Sequence, residues 1–248
     1  MFNFFKKKNT TEDLPIHYSL PITTDIHSHL LPGIDDGSPN IETSLRLIHG
    51  LYDLGIRESV TTPHIIGDLF PNTPQTISTA YQKLQEALKK DGLDFKLGYA
   101  AEYLMDDYFL QLLRSESKLL TIKDQYLLVE QSWVFPTPNL AQVALELRTK
   151  NYLPIMAHPE RYSYCSDNFD NFYRLKDMGF LLQLNLLSLT GYYGVAAERA
   201  AIFLLEEDLI DFVGTDLHHL KHLRLLSRPS SLTIIDDSLA GKKFNTFI

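Results

Sequence analysis

His27-Ser28-His29 puts two imidazoles at positions i and i+2. On a strand these face the same side and can grip one metal ion. Asp216-Leu217-His218 repeats the pattern near the other end of the chain. Between the two pairs lie single residues able to bind a cation, each closing a short apolar run: His64 in Thr62-Pro63-His64, Glu102 in Ala101-Glu102, Glu130 in Val129-Glu130 and His158 in Ala157-His158. Asp36 sits in the loop Gly33-Ile34-Asp35-Asp36-Gly37. Taken singly, each reads as readily as a buried, hydrogen-bonded polar group or a solvated loop residue. As a set they do not, because four carboxylates and five imidazoles meeting without cations would be costly in a partly buried site. Mixed imidazole and carboxylate ligands suit Mn²⁺, Fe²⁺ or Zn²⁺.

Seven segments rich in aliphatic or β-branched residues must carry these groups: Thr23–His29, Ser59–His64, Lys96–Glu102, Tyr126–Glu130, Leu153–His158, Leu181–Asn185 and Asp211–His218. From His27 through His64, Glu102, Glu130, His158 and Asn185 to Asp216, the intervals are 37, 38, 28, 28, 27 and 31 residues. That is the length of a strand–helix–strand unit. Helical periodicity fills the gaps over Ile41–Leu54, Thr76–Lys90, Asn139–Lys150, Phe169–Met178 and Val195–Glu207, and more weakly over Asp106–Arg114. Strand and helix in alternation imply a parallel sheet with its chemistry at the strands' C-terminal ends. All seven ends meet most easily if the sheet closes. The expected fold is a single-domain α/β, distorted (βα)7 TIM-like barrel over residues 21–226, with a tail at 1–20 and an extension at 227–248.

With 248 residues, 44% apolar, the chain has material for one large core. A formal charge of −8 argues against a nucleic-acid partner. One cysteine excludes a disulfide framework and fits a reducing, cytoplasmic compartment. No signal peptide is evident, and no run approaches the ~20 apolar residues of a membrane span. Phe2, Phe4, Phe5 and Lys6-Lys7-Lys8 suit either a frayed tail or a weak membrane-surface contact. Cys165 lacks the arginine six residues on that a cysteine phosphatase needs; Asn171 stands there.

Asp25-Ile26-His27-Ser28-His29, Ile34-Asp35-Asp36-Gly37, Thr62-Pro63-His64, Ala101-Glu102, Val129-Glu130, Ala157-His158-Pro159-Glu160-Arg161 and Thr215-Asp216-Leu217-His218 occur in that order. The series resembles the PHP (polymerase and histidinol phosphatase) superfamily over roughly residues 22–222. Within it, Asp36 and Glu130 look like the tyrosine phosphatases of bacterial capsule and exopolysaccharide operons. The resemblance implies three divalent ions, commonly manganese. One would sit on His27, His29, Glu102 and Asp216, a second on Glu102, Glu130 and His158, and a third on Asp36, His64 and His218. It implies a metal-bridging hydroxide attacking phosphorus in line, with Arg161, Asp36 and His218 as catalytic residues. Four ligand carboxylates against three divalent ions leave a balance of about +2, suited to a phosphate dianion. Arg161 would clamp a phosphoryl oxygen and touch no metal, so Arg161→Ala should leave metal content unchanged.

The implied partner is the phosphotyrosine tail of a membrane-anchored bacterial tyrosine kinase, and a homo-oligomer is compatible. Trp133, Phe135, Tyr162, Tyr164, Tyr192 and Tyr193 lie on the loops that would flank an aromatic ring. His219 stands where the family pattern has asparagine; His219 and His222 read as surface or supporting residues. Small-metabolite phosphatase, amidohydrolase and catalytically silent scaffold remain as alternatives, separable by a substrate panel.

Overall fold

The computed structural model describes residues 19–166 and 168–246. The aromatic and lysine-rich N-terminal segment and His17 lie outside them. The first strand, β1 (Thr24–Asp25), leads through the His27–His29 segment to α1 (Ile41–Asp53). The Asn40 side chain caps α1 by accepting from Thr43 N, and Leu47, Ile48 and Leu51 form its buried stripe. Then come β2 (Glu58–Thr61), β3 (His64–Ile65) and α2 (Pro74–Asp91). A Thr73/Thr76 capping box starts α2, and Gly92 at φ 82° ends it. Next are β4 (Lys96–Tyr99), β5 (Glu102–Leu104), α3 (Asp107–Arg114), β6 (Tyr126–Glu130), α4 (Leu140–Thr149) and β7 (Leu153–Ala157). The chain continues through a 3₁₀ turn (Pro159–Arg161), α5 (Ser163–Ser166), α6 (Asp170–Asp177), β8 (Leu181–Asn185), a second 3₁₀ turn (Leu186–Thr190) and α7 (Val195–Glu206). It closes with β9 (Phe212–Gly214), α8 (Leu220–Leu226) and α9 (Pro229–Leu239).

All strand pairs are parallel, in two sheets ordered β1-β2-β4 and β3-β5-β6-β7-β8-β9. The expected seven units are present, but two are split. Thr62-Pro63 interrupts the second and Ala100-Ala101 the third. Ala100 N to Thr61 O and Glu102 N to Pro63 O carry the pairing across both breaks. At the far edge, Asp216 N donates to His27 O and His29 N to Leu217 O, joining the last strand to the first. The ring is thus a broken ladder rather than one continuous sheet.

Alternate residues feed two cores. Leu127, Val129 and Met156 pack outward under the helices, whereas Leu128, Ile155, Ala157, Val60, Ile26 and Phe212 form a smaller cluster of their own. Burial on both faces explains why the strands read as apolar runs without alternation.

Beyond the predicted elements, α8 and α9 extend the chain. Leu232, Ile235 and Leu239 of α9 join the main core. Asn245 is buried: its amide donates to Thr24 O and Val213 O and accepts from Val213 N, tying β1 to β9. Asn245→Ala should therefore cost about 2 kcal/mol, the penalty for stranding buried backbone groups. Urea unfolding would show this as a lower midpoint at unchanged m; an unshifted midpoint would mean water takes the amide's place.

Candidate metal centre

His27 and His29 leave β1 on a segment pinned from below. Asp25, fully buried, accepts from Thr215 N and the Thr215 hydroxyl, and burial lifts its pKa to about 6. Two glycines allow the imidazoles their places. A Cβ on Gly37 would fall 2.4 Å from His29 Cβ, and one on Gly214 would fall 2.8 Å from His27 Cβ. Each ring is aimed through its Nδ1, that of His27 by Gln183 Oε1 at 2.7 Å and that of His29 by Asp35 Oδ2 at 2.8 Å. His158 (φ 35°) and Asp216 (φ 49°) adopt left-handed backbone just past their strands, a strain typical of functional positions.

So aimed, His27 Nε2 and His29 Nε2 lie 3.3 Å apart. Glu102 Oε2 is 3.2 and 3.4 Å from them, and Asp216 Oδ1 is 3.3 and 3.4 Å away. Both oxygens are buried and make no hydrogen bond. In this cage of four donors each carboxylate oxygen sits 3.2 to 3.4 Å from both imidazole nitrogens. Mixed imidazole and carboxylate donors at such spacing fit a divalent transition-metal cation.

Two further groupings adjoin this cage. His64 Nδ1 is 3.1 Å from Glu102 Oε2 and 3.2 Å from Glu130 Oε1, while His158 Nε2 is 3.1 Å from Glu102 Oε1. Asp36 Oδ1 is 3.6 Å from both His64 Nε2 and His218 Nε2. All nine expected ligand residues thus converge. His64 borders two groupings through its two nitrogens, which the ligand partition drawn from sequence did not contain.

The electrostatics call for positive charge. Burial would raise the Glu102 carboxyl, yet the His27 and His64 imidazoles hold it well below its usual range. Burial likewise opposes charging of His64, but Glu102 and Glu130 hold its pKa up at about 10. A multivalent cation satisfies the same carboxylates without protonating the rings.

Above the cluster is a cavity of about 220 Å³ lined by Asp36, Arg161, Trp133, Tyr193, His219 and His222 among others. Arg161 donates from Nη1 to Asp216 Oδ2 at 2.6 Å. Its guanidinium carbon lies 4.6 Å from the Trp133 ring centre and 4.1 Å from that of Tyr193. Asn185 Nδ2 donates to the same Asp216 oxygen at 2.9 Å.

Two aromatic expectations are corrected. Tyr162 is fully buried and spends its hydroxyl on Ala157 O and Gln131 N. Tyr164 stacks on Tyr162 and lines a separate pocket with Cys165. Both lie on the segment after Arg161, which Ser163 ties to the loop after β6 by donating its N–H and hydroxyl to Trp133 O. Cys165 is buried, which pushes its thiol up to about 12. Asp35, Gln183 and Asn185, which hydrogen-bond the His29, His27 and Asp216 side chains, carried no assigned role from sequence.

Fold and site together define a parallel α/β protein with a histidine–carboxylate cluster able to hold metal at its strand ends. The chain belongs to the CpsB/CapC family of capsular polysaccharide synthesis, whose profile matches residues 23–230. The tyrosine-protein phosphatase YwqE of Bacillus subtilis (strain 168) is 30% identical over 198 residues, spanning 79% of this chain and 78% of its own. The tyrosine-protein phosphatase CpsB of Streptococcus pneumoniae is 29% identical over 225 residues, 88% and 90% of the two chains. A chain from the crystal structures of YwqE and CpsB, described as unique metal-dependent tyrosine phosphatases, matches with a TM-score of 0.76 at 28% identity over 86% of each chain. An amidohydrolase from Mycoplasma synoviae, at TM-score 0.51 and 12% identity, shares the fold alone.

Proposed function

We propose that this chain is a metal-dependent protein-tyrosine phosphatase, manganese-loaded in the cytoplasm, that acts on the phosphotyrosine tail of a membrane-anchored kinase governing capsule synthesis. The observation that carries the reading is the meeting of His27, His29, Glu102 and Asp216, whose two buried carboxylate oxygens lie 3.2 to 3.4 Å from both imidazole nitrogens and have no hydrogen-bond partner. His27, His29, Glu102 and Asp216 would hold one ion, Glu102, Glu130, His158 and His64 a second, and Asp36, His64 and His218 a third. Bound divalent ions would supply Lewis acidity toward phosphoryl oxygens and acidify the water that attacks phosphorus. The protein's own part is binding and orientation. Among the described residues the Arg161 side chain makes one hydrogen bond, to Asp216, which leaves its other N–H groups for a phosphoryl oxygen. Trp133 and Tyr193 stand beside it as aromatic walls for a tyrosine ring. Among the described residues no helix is long and apolar enough to cross a membrane.

Metal-loaded protein should hydrolyse a phosphotyrosine peptide in preference to histidinol phosphate and to an ester and lactone panel. Chelation should lower that activity at least ~100-fold and Mn²⁺ should restore it, whereas alkylating reagents aimed at Cys165 should change nothing. Full activity in excess chelator, with no metal retained by elemental analysis, would refute the reading.

A further inference from the structure

We propose that His219 and His222 form a second anchor for the phosphoryl group, meeting it beside Arg161 with two neutral N–H donors. The inference rests on the phosphatase reading and adds two substrate-binding residues to it. From sequence both read as surface or supporting residues, yet both line the cavity above the histidine–carboxylate cluster. Among the described residues five imidazoles line that cavity. His64, His158 and His218 belong to groupings able to hold a metal ion, and His219 and His222 belong to none.

The inner nitrogen of each ring is already engaged. His219 is the N-cap of α8, and its Nδ1 accepts from His222 N at 3.2 Å. His222 Nδ1 accepts from His218 N at 3.5 Å. A ring nitrogen that accepts carries no proton, so in each neutral imidazole the proton sits on Nε2. Neither Nε2 has a hydrogen-bond partner among the described residues, and neither is buried. His222 as a whole is only 7% exposed, so what it leaves open faces the cavity that it lines.

The two rings are held together and beside the first anchor. Their centres lie 3.9 Å apart, and the His222 ring stands 5.2 Å from Tyr192 and 6.3 Å from Tyr193. Tyr193 also carries the Arg161 guanidinium at 4.1 Å, so both anchors border one aromatic ring. Donors fixed before the ligand arrives lose little freedom on binding it. An aryl phosphate offers hydrogen-bond acceptors only at its phosphoryl and ester oxygens, so these are what the N–H groups can meet.

The test measures binding of inorganic phosphate to the metal-loaded full chain by calorimetry, beside metal content, melting temperature and kinetics on a phosphotyrosine peptide. Asparagine can supply the inner acceptor but not the outer donor, so H219N and H222N isolate Nε2. Each should weaken phosphate binding roughly tenfold and lower kcat/KM by a similar factor, with metal content and melting temperature near wild type. H219Q gives up the cap but reaches further with an amide N–H; it should melt lower and keep most of the phosphate affinity. Unchanged phosphate binding in H219N and H222N overturns the proposal. Loss of metal from either variant does so too, since it would assign the imidazoles to the metal centre. Wild type that neither binds phosphate nor hydrolyses the peptide would overturn the phosphatase reading itself. Phosphate binding that the variants weaken, in a wild type inert toward the peptide, would keep the anchor and remove only that reading.

Discussion

Asp216→Asn should empty the four-donor cage and lower kcat/KM by at least about three orders of magnitude. The two oxygens of Asp216 do different things. Oδ1 faces His27, His29 and His218 at 3.3 to 3.4 Å, and Oδ2 accepts from Arg161 and Asn185. An asparagine satisfies only one side. With its oxygen toward Arg161 and Asn185, it turns an NH₂ donor into the cage. Reversed, it sets donor against donor at 2.6 Å from a guanidinium nitrogen. Either way the cage loses a negative charge that helps balance a divalent ion. Elemental analysis beside steady-state kinetics checks this, with a thermal scan to confirm that the variant is folded. Metal content and rate both near wild type would remove the cage from the mechanism.

Arg161→Ala carries the second largest effect, and here the structure revises the sequence-based expectation. Loss of a charge-assisted contact that tightens in the transition state should cost about 3 kcal/mol, roughly two decades in kcat/KM. Sequence reasoning expects metal content to stay unchanged. Yet Arg161 holds Asp216 Oδ2, so it also orients a cage carboxylate and damps its charge. The variant should therefore bind metal with altered affinity, showing a shifted metal titration as well as a slower saturated rate. Arg161→Lys should recover part of the rate, since a point charge cannot hold Asp216 and meet a phosphoryl oxygen in one planar fork. A titration curve superposable on wild type would return Arg161 to phosphate recognition alone.

How much of this was legible in sequence follows from which forces write themselves locally. Strands buried on both faces appear as apolar runs, and Tyr126–Glu130 and Leu181–Asn185 were read to the residue. The nine cluster residues were legible because each closes such a run or, like Asp36, lies in the loop just after one. Their supports were not. Gln183 acts on His27 from 156 positions away, a relation that only ring closure creates. Asp35 and Asp36 are neighbours of one type, and only the fold shows that the first aims His29 while the second faces the cavity. The break at Ala100-Ala101 leaves no periodic trace, since two small apolar residues continue the run, whereas Pro63 at the other break is a residue that an uninterrupted central strand does not accommodate. Helix α8 spans 7 residues, too few for periodicity to declare itself.

Trp133 is the only tryptophan in the chain, half exposed and set against the Arg161 guanidinium. Intrinsic tryptophan emission is therefore an optical report from one spot, the mouth of the metal centre, with no background from the core. An anion that draws Arg161 away from the indole changes the emission directly, so ligand entry can be followed without a label. The same circumstance separates two events that most proteins blur. Loss of the indole signal marks loosening of the mouth, whereas collapse of the strand ring must be followed by other means, such as far-ultraviolet circular dichroism.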